Sequence, residues 1–226
     1  SVVFEDEHVL VIDKPAGMPV HPSQGHYENT LANGIAWYYR NEATPFVFRA
    51  VNRLDRDTSG LVLLAKNPYS SCVLSDAVKD HTIHREYAAI VSGKTDASGT
   101  IDLPIARKDG STIERVCDPE RGETAVTHYR TFAYNKDADI SFIRLLLETG
   151  RTHQIRVHMK AIGHPLPGDF LYCPDYRFID RQPLHSTYLR FSHPVTGEKL
   201  EFSASLPEDM RKLFPDIKNP SGPVFF

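Results

Sequence analysis

The residues best suited to chemistry lie in one charged segment, residues 49–60, which reads Arg-Ala-Val-Asn-Arg-Leu-Asp-Arg-Asp-Thr-Ser-Gly. Its two carboxylates, Asp55 and Asp57, stand among arginines, and an apolar block with the length and branching of a buried strand follows at residues 61–65. A carboxylate that nearby guanidinium groups keep ionised can attack an electron-poor carbon or stabilise a developing cation. Asp55 is therefore the first candidate for a catalytic residue.

The same segment is also typical of an ordinary surface turn. Asp, Thr, Ser and Gly form turns through hydrogen bonds between side chain and backbone, and an exposed Arg–Asp pair contributes at most about 1 kcal/mol to stability. Charge clustered at a strand end indicates a functional site only in a statistical sense. The segment alone leaves both interpretations open.

A second candidate site is the start of a helix that the pattern predicts within residues 149–163. Thr152 can cap its N-terminus, and Gly163 and Pro165 should end it. One face is apolar and should meet the sheet. Its residues are Ile155, Met159 and Ile162.

Another face of this helix is basic and carries His153, Arg156 and Lys160. It begins at the helix N-terminus, where exposed N–H groups and the helix dipole favour an anion or a phosphate. The alternative, which this segment alone favours, is the solvated polar face of an ordinary amphipathic helix.

A third candidate is Tyr87, which ends the cluster His-Arg-Glu-Tyr at residues 84–87. Aromatic rings are the usual means by which proteins stack on unpaired bases. A tyrosine at the start of a strand is more often a core residue with a solvated hydroxyl, however. By itself Tyr87 decides nothing.

Composition restricts the classes of protein that this chain can belong to. With 226 residues, 41% of them hydrophobic, it can bury a core as one large domain or two modest lobes. The net charge of −3 argues against general coating of nucleic acid but not against a local basic cleft. Three distant cysteines leave one unmatched in any disulfide scheme, which favours a reducing cytoplasm. They are Cys72, Cys117 and Cys173.

Several other chemistries and locations are disfavoured. The chain has no apolar run long enough to span a bilayer and no signal-peptide pattern at its start, so we expect no membrane partner. It also lacks the GxSxG, GxGxxG and Walker-type phosphate motifs. His153 and His158 are five residues apart rather than four, and no cysteine pair accompanies them. We expect most histidines on loops or the surface, and neither a metal nor a cofactor.

The elements that must position these residues are mostly strands. Besides residues 61–65, we predict strands at 9–14, 86–91, 125–134, 142–148, 186–191 and 199–203, and helices at about 30–39 and 69–80. The helices are too few to alternate regularly with the strands. The expected fold class is therefore α+β, with a mixed, mainly antiparallel central sheet and flanking helices. Residues 94–122 should form an exposed insertion or hairpin, residues 1–215 one domain, and residues 216–226 a loosely held C-terminal tail.

On these residues, the chain resembles the RluA-type pseudouridine synthases, which isomerise uridine to pseudouridine in structured RNA. Residues 52–61 are similar to the family's His-Arg-Leu-Asp-x-x-Thr-Ser-Gly-Leu signature, residues 85–87 to its basic-x-Tyr segment, and residues 150–158 to its Gly-Arg-x-His-Gln-Ile-Arg-x-His helix start. The similarity runs from residue 5 to about residue 207. Asn52 departs from the signature, which has His there; Asn forms hydrogen bonds but does not titrate near neutral pH.

The resemblance implies a role for each candidate residue. Asp55 would act at the ribose C1′ region as nucleophile or base, Arg156 would pair with it, and Tyr87 would stack against the target base in a central basic cleft. Arg53 would fill the space that the flipped uridine leaves. Phosphate contacts would come from Arg56, Arg151 and Lys160. The expected protein is a cytoplasmic monomer that acts on structured ribosomal or transfer RNA without metal or cofactor.

Two other functions remain open. A nucleoside or glycoside hydrolase would use Asp55 and Asp57 as a carboxylate pair, although their short spacing leaves little room for the separation of about 5 Å or more that such pairs need. A catalytically silent RNA-binding module would keep the fold alone. The presence of Asp55, Tyr87 and Arg156 together argues against that module.

Overall fold

The computed structural model describes residues 1–23, 25, 27–41, 46–217 and 222–225. Within them, the strand pairs named in the following paragraphs are all antiparallel. The helices are few. The predicted α+β class with mainly antiparallel pairing is therefore confirmed. The elements are, in chain order, β1 (Val2–Glu5), β2 (Val9–Lys14), α1 (Leu31–Tyr38), β3 (Ser59–Ala65), α2 (Pro68–Lys79), β4 (His84–Ser92), β5 (Ser98–Asp102), β6 (Ile105–Arg107), β7 (Arg115–Cys117), β8 (Val126–Asn135), β9 (Ile140–Leu147), α3 (Gln154–Ala161), β10 (Leu184–Ser192), β11 (Lys199–Ser203) and α4 (Glu208–Leu213).

Contacts within the chain divide it into two compact units. The first unit comprises Ser1–His84 and Ser186–Ala204, and the second unit comprises Arg85–His185 and Ser205–Phe226. The chain passes between the units inside strands β4 and β10 and again after β11. The single domain expected for residues 1–215 stays a prediction.

The first unit is built around β3, which is buried at every position. Strand β2 pairs with both β1 and β3, and β10 pairs with β11. The continuous apolar run of β3 explains this position, because a strand covered on both faces needs apolar side chains on both. Helix α2 covers one face through Leu74, and Asn67 caps that helix by accepting the Ser70 N–H at 2.9 Å.

The second unit contains the antiparallel strands β4, β9, β8 and β5 and a separate hairpin of β6 and β7. The hairpin falls inside residues 94–122, where an exposed insertion or hairpin is predicted, but β5 of the same segment pairs with β8 instead. Helix α3 packs on this hairpin in a cluster of buried side chains. The cluster contains Ile105, Ala125, Val157 and Tyr172.

The C-terminal tail is described only in part. Residues 218–221 and 226 lie outside the described residues. In the described part, the backbone N–H groups of Val224 and Phe225 donate to the buried carboxylate of Glu86 at 2.9–3.1 Å. Across the described ranges, none of the helices is long and apolar enough to cross a membrane.

Candidate active site

Asp55 is half-buried on the loop that leads into β3. The Thr58 N–H donates to the Asp55 carbonyl oxygen at 3.1 Å and closes a turn, and Thr58 and Ser59 are buried beneath it. The prediction that the charged segment precedes a buried strand is confirmed. Asp55 thus lies four residues before the start of a strand that is buried at every position.

Asn52 fastens this loop to β3. Its side-chain amide donates from Nδ2 to the Leu61 carbonyl oxygen at 3.3 Å, and its Oδ1 accepts the Leu63 N–H at 2.8 Å. Asn52 itself is 5% exposed. The residue that departs from the family signature is therefore a structural clamp here, and its amide needs no proton exchange to act as one.

Lys14 holds the other side of the loop. It ends β2, is fully buried, and donates from Nζ to the carbonyl oxygens of Pro15, Met18 and Arg56 at 2.9, 2.8 and 3.1 Å. A buried ammonium is tolerated only when its donors are satisfied, and these three acceptors provide that. Lys14 is not among the predicted site residues, although a single lysine at the end of an apolar strand, directly before Pro15, is a signal that could have revealed it.

Gly60, at the start of β3, is required by a close approach of two backbones. Its φ is +107°, and a Cβ built at this position would lie 2.2 Å from the Ser186 carbonyl oxygen. No other residue fits that conformation and that space. The turn after Asp55 therefore depends on glycine.

Two neighbours of Asp55 in the sequence, Asp57 and Arg53, have different surroundings. Asp57 forms a bidentate pair with Arg56, with Nε–Oδ1 at 2.9 Å and Nη2–Oδ2 at 2.8 Å. Asp57 is thus occupied, which weakens its assignment as the second carboxylate of a hydrolase. Arg53 is exposed, and its charge adds to burial in lowering the pKa of His21.

In the second unit, helix α3 starts differently from the prediction. Thr152 does not cap it: the cap residue is His153, in the left-handed conformation with φ 58° and without a side-chain capping bond. Gln154 fixes the segment before the helix instead: its Oε1 accepts the Arg151 N–H at 2.9 Å and its Nε2 donates to the Val126 carbonyl oxygen at 3.0 Å. The helix start is therefore tied to β8 by a side chain rather than capped by a hydroxyl. The predicted end is confirmed, with Gly163 at φ +85° directly after the cap.

The basic face of α3 is not solvated at its centre. Arg156 is 2% exposed and forms a bidentate pair with the buried Asp169, with Nε–Oδ2 at 2.6 Å and Nη2–Oδ1 at 2.8 Å. Asp169 Oδ1 also accepts the N–H groups of Leu171 and Tyr172 at 3.0 and 3.2 Å. The interpretation as an ordinary solvated face is wrong for Arg156, and Asp169 is a residue that the sequence analysis missed.

Tyr172 supports the same face of α3. The guanidinium of Arg156 and the ammonium of Lys160 lie 5.0 and 5.5 Å from its ring centroid. Its hydroxyl oxygen accepts the Arg115 N–H at 2.9 Å and lies 2.9 Å from His153 Nδ1. Burial raises the pKa of Tyr172 to about 12, so the hydroxyl keeps its proton at physiological pH.

His158 is an exception to the expectation that most histidines lie on loops or the surface. It is fully buried on α3, with Nε2 2.9 Å from the Leu103 carbonyl oxygen and Nδ1 2.9 Å from Thr127 Oγ1. The carbonyl can only accept, so Nε2 carries the proton and Nδ1 accepts from the Thr127 hydroxyl. Burial lowers the pKa of His158 and keeps the ring neutral.

Tyr87 is 4% exposed in β4, opposite Leu145 of β9. Its neighbour Glu86 points to the other face of the strand and pairs with the buried Arg144 at 2.7 Å. Burial lowers the pKa of Arg144 and the Glu86 carboxylate opposes this shift. Tyr87 is thus a buried ring within β4.

The predicted site residues are distributed over both units. The first unit carries Arg53, Asp55 and Arg56, and the second carries Tyr87, Arg151, Arg156 and Lys160. Arg151 pairs with Glu123 and donates to the Thr124 carbonyl oxygen, while Lys160 is exposed. The described part of the chain has no group of three metal-ligating side chains. The central basic cleft stays a prediction.

The chain matches the family model described as RNA pseudouridylate synthase over residues 8–161, a span that contains Asp55, Tyr87 and Arg156. The chain belongs to this family. Among similar sequences, the uncharacterized RNA pseudouridine synthase YjbO of Bacillus subtilis is 46% identical over 94% of this chain and 75% of its own length. The ribosomal large subunit pseudouridine synthase D of Zymomonas mobilis is 42% identical over 95% and 71%.

Solved structures of pseudouridylate synthases show the same fold. The human RNA pseudouridylate synthase domain containing 1 has a TM-score of 0.75 at 23% identity and covers 98% of this chain and 96% of that chain. The human RNA pseudouridylate synthase domain containing 4 has a TM-score of 0.72 at 22% identity, with 92% and 89% covered. The predicted resemblance to RluA-type pseudouridine synthases is confirmed.

Proposed function

We propose that this pseudouridine synthase isomerises a uridine of ribosomal RNA with Asp55 as the residue that acts on the nucleotide. The observation that carries the proposal is the fixation of the Asp55 loop, by Asn52 on one side and Lys14 on the other, in a segment that matches the family signature. The reaction breaks the glycosidic N1–C1′ bond, turns the uracil, and joins C1′ to C5. Substrate and product have the same atoms, so the reaction consumes neither water nor a redox partner.

Asp55 acts as a nucleophile at C1′ or as a base that removes a ribose proton. Both roles need an ionised carboxylate aimed at the sugar. We propose that Arg156 supplies the pairing charge for Asp55 and that Asp169 holds the plane of that guanidinium. A guanidinium fixed by a bidentate pair presents its other donors in one orientation, which serves a partner of defined position.

The target uridine must leave its stack to reach the carboxylate, at a cost of a few kcal/mol. In our proposal the ring of Tyr87 stacks against the uracil, and Arg53, which is exposed, enters the vacated space. Arg56, Arg151 and Lys160 then contact phosphates. Such contacts release counterions, so RNA affinity should fall steeply as salt rises.

The names of the relatives favour ribosomal over transfer RNA as the substrate. Several relatives at 40–42% identity are ribosomal large subunit pseudouridine synthase D proteins, from Zymomonas mobilis and Pseudomonas aeruginosa among others. We therefore propose large-subunit ribosomal RNA as the substrate and the cytoplasm as the place of action. Pseudouridine mapping in cells with and without the protein tests this directly, and loss of a transfer RNA pseudouridine instead would reassign the substrate.

Two aspartates on the same loop give a matched test of the mechanism. Tritium release from RNA carrying 5-labelled uridine is measured for Asp55→Asn and for Asp57→Asn. The first variant should lose activity by a factor of at least about 10³, as expected when a single nucleophile or base is removed. The second should stay within a few-fold of the wild type, because Asp57 pairs with Arg56.

The same assay separates the alternative functions. Release of free uracil, with loss of that release in Asp57→Asn, would support a hydrolase with a carboxylate pair. RNA binding by the wild type with neither tritium release nor free uracil would support a silent binding module. Substantial activity in Asp55→Asn would remove Asp55 from the mechanism.

A further inference from the structure

A cavity of about 340 Å³ lies within the second unit, beside the residues that lead into α3. Its lining has an excess of positive charge, with four arginines and one glutamate. These residues are Arg107, Arg115, Arg121, Arg151 and Glu123. The two strands of the β6–β7 hairpin contribute part of the lining, and Gly150 and Thr152, which precede α3, contribute another part.

Arg107 and Arg115 are directly opposite one another in the register of this hairpin. Residues at directly opposite positions of an antiparallel pair have Cβ atoms about 4.5–5.5 Å apart, and like charges there destabilise the pair. The packing of the hairpin on α3 offsets this cost without removing the repulsion itself. An anion placed between the two guanidinium groups would remove this repulsion.

The described residues supply no carboxylate partner for these two guanidinium groups. The Arg115 guanidinium donates to the backbone carbonyl oxygens of Ile113 and Glu114 at 3.1 and 3.2 Å, and these are neutral acceptors. No ion pair in the described part of the chain involves Arg107 or Arg115. The carboxylates around the hairpin have other partners: Glu114 pairs with Lys108, Asp109 and Asp118 pair with Arg121, and Glu123 pairs with Arg151.

A further arginine lies close to Gly150, which lines the cavity. The Nη1 and Nη2 atoms of Arg85 lie 3.4 and 3.5 Å from the position that a Cβ at Gly150 would occupy. Arg85 is 9% exposed, and its Nε has no hydrogen-bond partner among the described residues. A buried guanidinium without a carboxylate partner is costly and raises the positive potential of the adjoining cavity.

We propose that this cavity binds a phosphodiester group of the RNA substrate, held between Arg107 and Arg115. Guanidinium groups bind phosphate oxygens through paired N–H donors. An anion between the two arginines attracts both, and this attraction outweighs their mutual repulsion. Arg107 is exposed and Arg115 is half-buried, so a polymer passing over the hairpin can reach both. The inference rests on RNA as the substrate and adds the β6–β7 hairpin as a contact of its own.

The test compares two double variants with the same loss of charge. Arg107→Gln with Arg115→Gln removes the opposed pair, whereas Arg177→Gln with Arg211→Gln removes two exposed arginines elsewhere in the second unit. RNA affinity is measured by fluorescence anisotropy over a series of salt concentrations. The first double variant should bind about tenfold more weakly, and the slope of log affinity against log salt should shrink by about one, as expected for one lost phosphate. The control should follow the wild type.

Turnover and melting keep this result separate from the proposed reaction. At saturating RNA, kcat of Arg107→Gln with Arg115→Gln should stay within about twofold of the wild type, since the change weakens binding of substrate and transition state alike. Without RNA and at low salt, this variant should melt no lower than the wild type, because a like-charge contact has been removed. The single variant Arg107→Gln allows the same comparison of kcat and melting temperature with one positive charge removed instead of two.

Three outcomes would overturn the inference, and a fourth would contradict only the proposed reaction. RNA affinity and salt slope equal to those of the control variant would do so even if the wild type forms pseudouridine. So would stabilisation by inorganic phosphate that depends on both arginines while RNA affinity does not, because the cavity would then hold a small phosphate compound. A marked fall in melting temperature would show that the arginines are structural. A wild type that binds RNA with the expected slope but forms no pseudouridine would contradict the proposed function alone.

Discussion

Arg156 and Asp169 form a bidentate ion pair that is almost completely removed from solvent, with N–O distances of 2.6 and 2.8 Å and side-chain exposures of 2% and 0%. Asp169 is in turn fixed by the backbone N–H groups of Leu171 and Tyr172. A buried pair of this kind fixes the orientation of the guanidinium, and its formation costs the desolvation of both charged groups. The loop after α3 thus sets the direction of the arginine that we propose as the partner of Asp55.

Replacing Asp169 with Asn should lower both stability and activity. Asn keeps the shape but leaves the buried guanidinium without a counter-charge, so we expect a loss of about 3–5 kcal/mol in the free energy of unfolding, measured by urea titration. Under conditions where the variant is folded, kcat should fall far more than KM rises, because the orientation of Arg156 is lost.

Asp209→Asn is the matched control for Asp169→Asn. Asp209 makes the same bidentate contact with Arg181, at 2.7 and 3.0 Å, but its side chain is 39% exposed. Arg181 is 12% exposed and still donates to the Gln182 carbonyl oxygen at 3.0 Å, so this variant should lose far less stability than Asp169→Asn and keep a kcat close to the wild type. Equal effects of the two substitutions would contradict an orienting role for Asp169.

Replacing Asn52 with Ala should detach the Asp55 loop from β3. The substitution leaves the Leu61 carbonyl oxygen and the Leu63 N–H buried without their partner, which costs about 1–3 kcal/mol. We expect kcat to fall together with stability, since Asp55 is three residues further along the same loop.

Asn67→Ala provides a comparison of similar energetic size at a different place. It removes the cap of α2 at a cost of about 1 kcal/mol and should leave kcat unchanged. If Asn52→Ala loses stability but keeps full kcat, the clamp is structural and has no part in positioning Asp55.

Replacing Lys14 with Met should have an effect on activity that a lysine elsewhere does not have. Met fills the volume but leaves the carbonyl oxygens of Pro15, Met18 and Arg56 without a donor, at a cost of at least about 2 kcal/mol. Because one of these carbonyls belongs to the Asp55 loop, tritium release per folded enzyme should also fall, by about tenfold for a loop misplaced by a fraction of an ångström.

Lys66→Met tests whether replacing any hydrogen-bonded lysine of this unit lowers turnover in the same way. Lys66 Nζ contacts Glu5 at 2.7 Å and the Asp6 carbonyl oxygen at 2.6 Å, away from the loop. Its substitution should reduce stability without lowering turnover. Similar turnover losses in both variants would count against the coupling of Lys14 to Asp55.

Much of this arrangement follows from the sequence, because local patterns determine it. Residues 61–65 of β3 are an unbroken apolar run, α2 starts at an Asn-Pro pair, and the charged segment adjoins β3 as predicted. These features depend on side chains close together in the chain. The family motifs likewise identified Asp55, Tyr87 and Arg156 as candidates without reference to their neighbours.

The features that the sequence analysis missed depend on distant segments. Asp169 meets Arg156 across 13 residues, and Lys14 reaches Arg56 across 42. No local pattern encodes either contact. The expected cap at Thr152 was wrong for the same reason, because the left-handed His153 and the bonds of Gln154 to β8 override the local preference of a threonine.

Stability should decrease below about pH 6.5 because of His158. Burial lowers the pKa of this histidine in the folded protein, with Asp102 and the Leu103 carbonyl opposing the shift, while the unfolded chain keeps the ordinary value near 6.5. Between the two pKa values the unfolded chain binds more protons, so the free energy of unfolding falls as the pH falls. One such group gives a slope of at most about 1.4 kcal/mol per pH unit.

His158→Gln isolates this contribution, because its amide can still donate to the Leu103 carbonyl oxygen and accept from the Thr127 hydroxyl. Urea titrations between pH 5.5 and 8 should give a flatter curve for the variant below pH 6.5 and parallel curves above pH 7.5, where the histidine is neutral in both states. His21, whose pKa is lowered by burial and by Arg53, should account for part of the slope that remains. Parallel curves over the whole range would show that His158 is not the group that titrates.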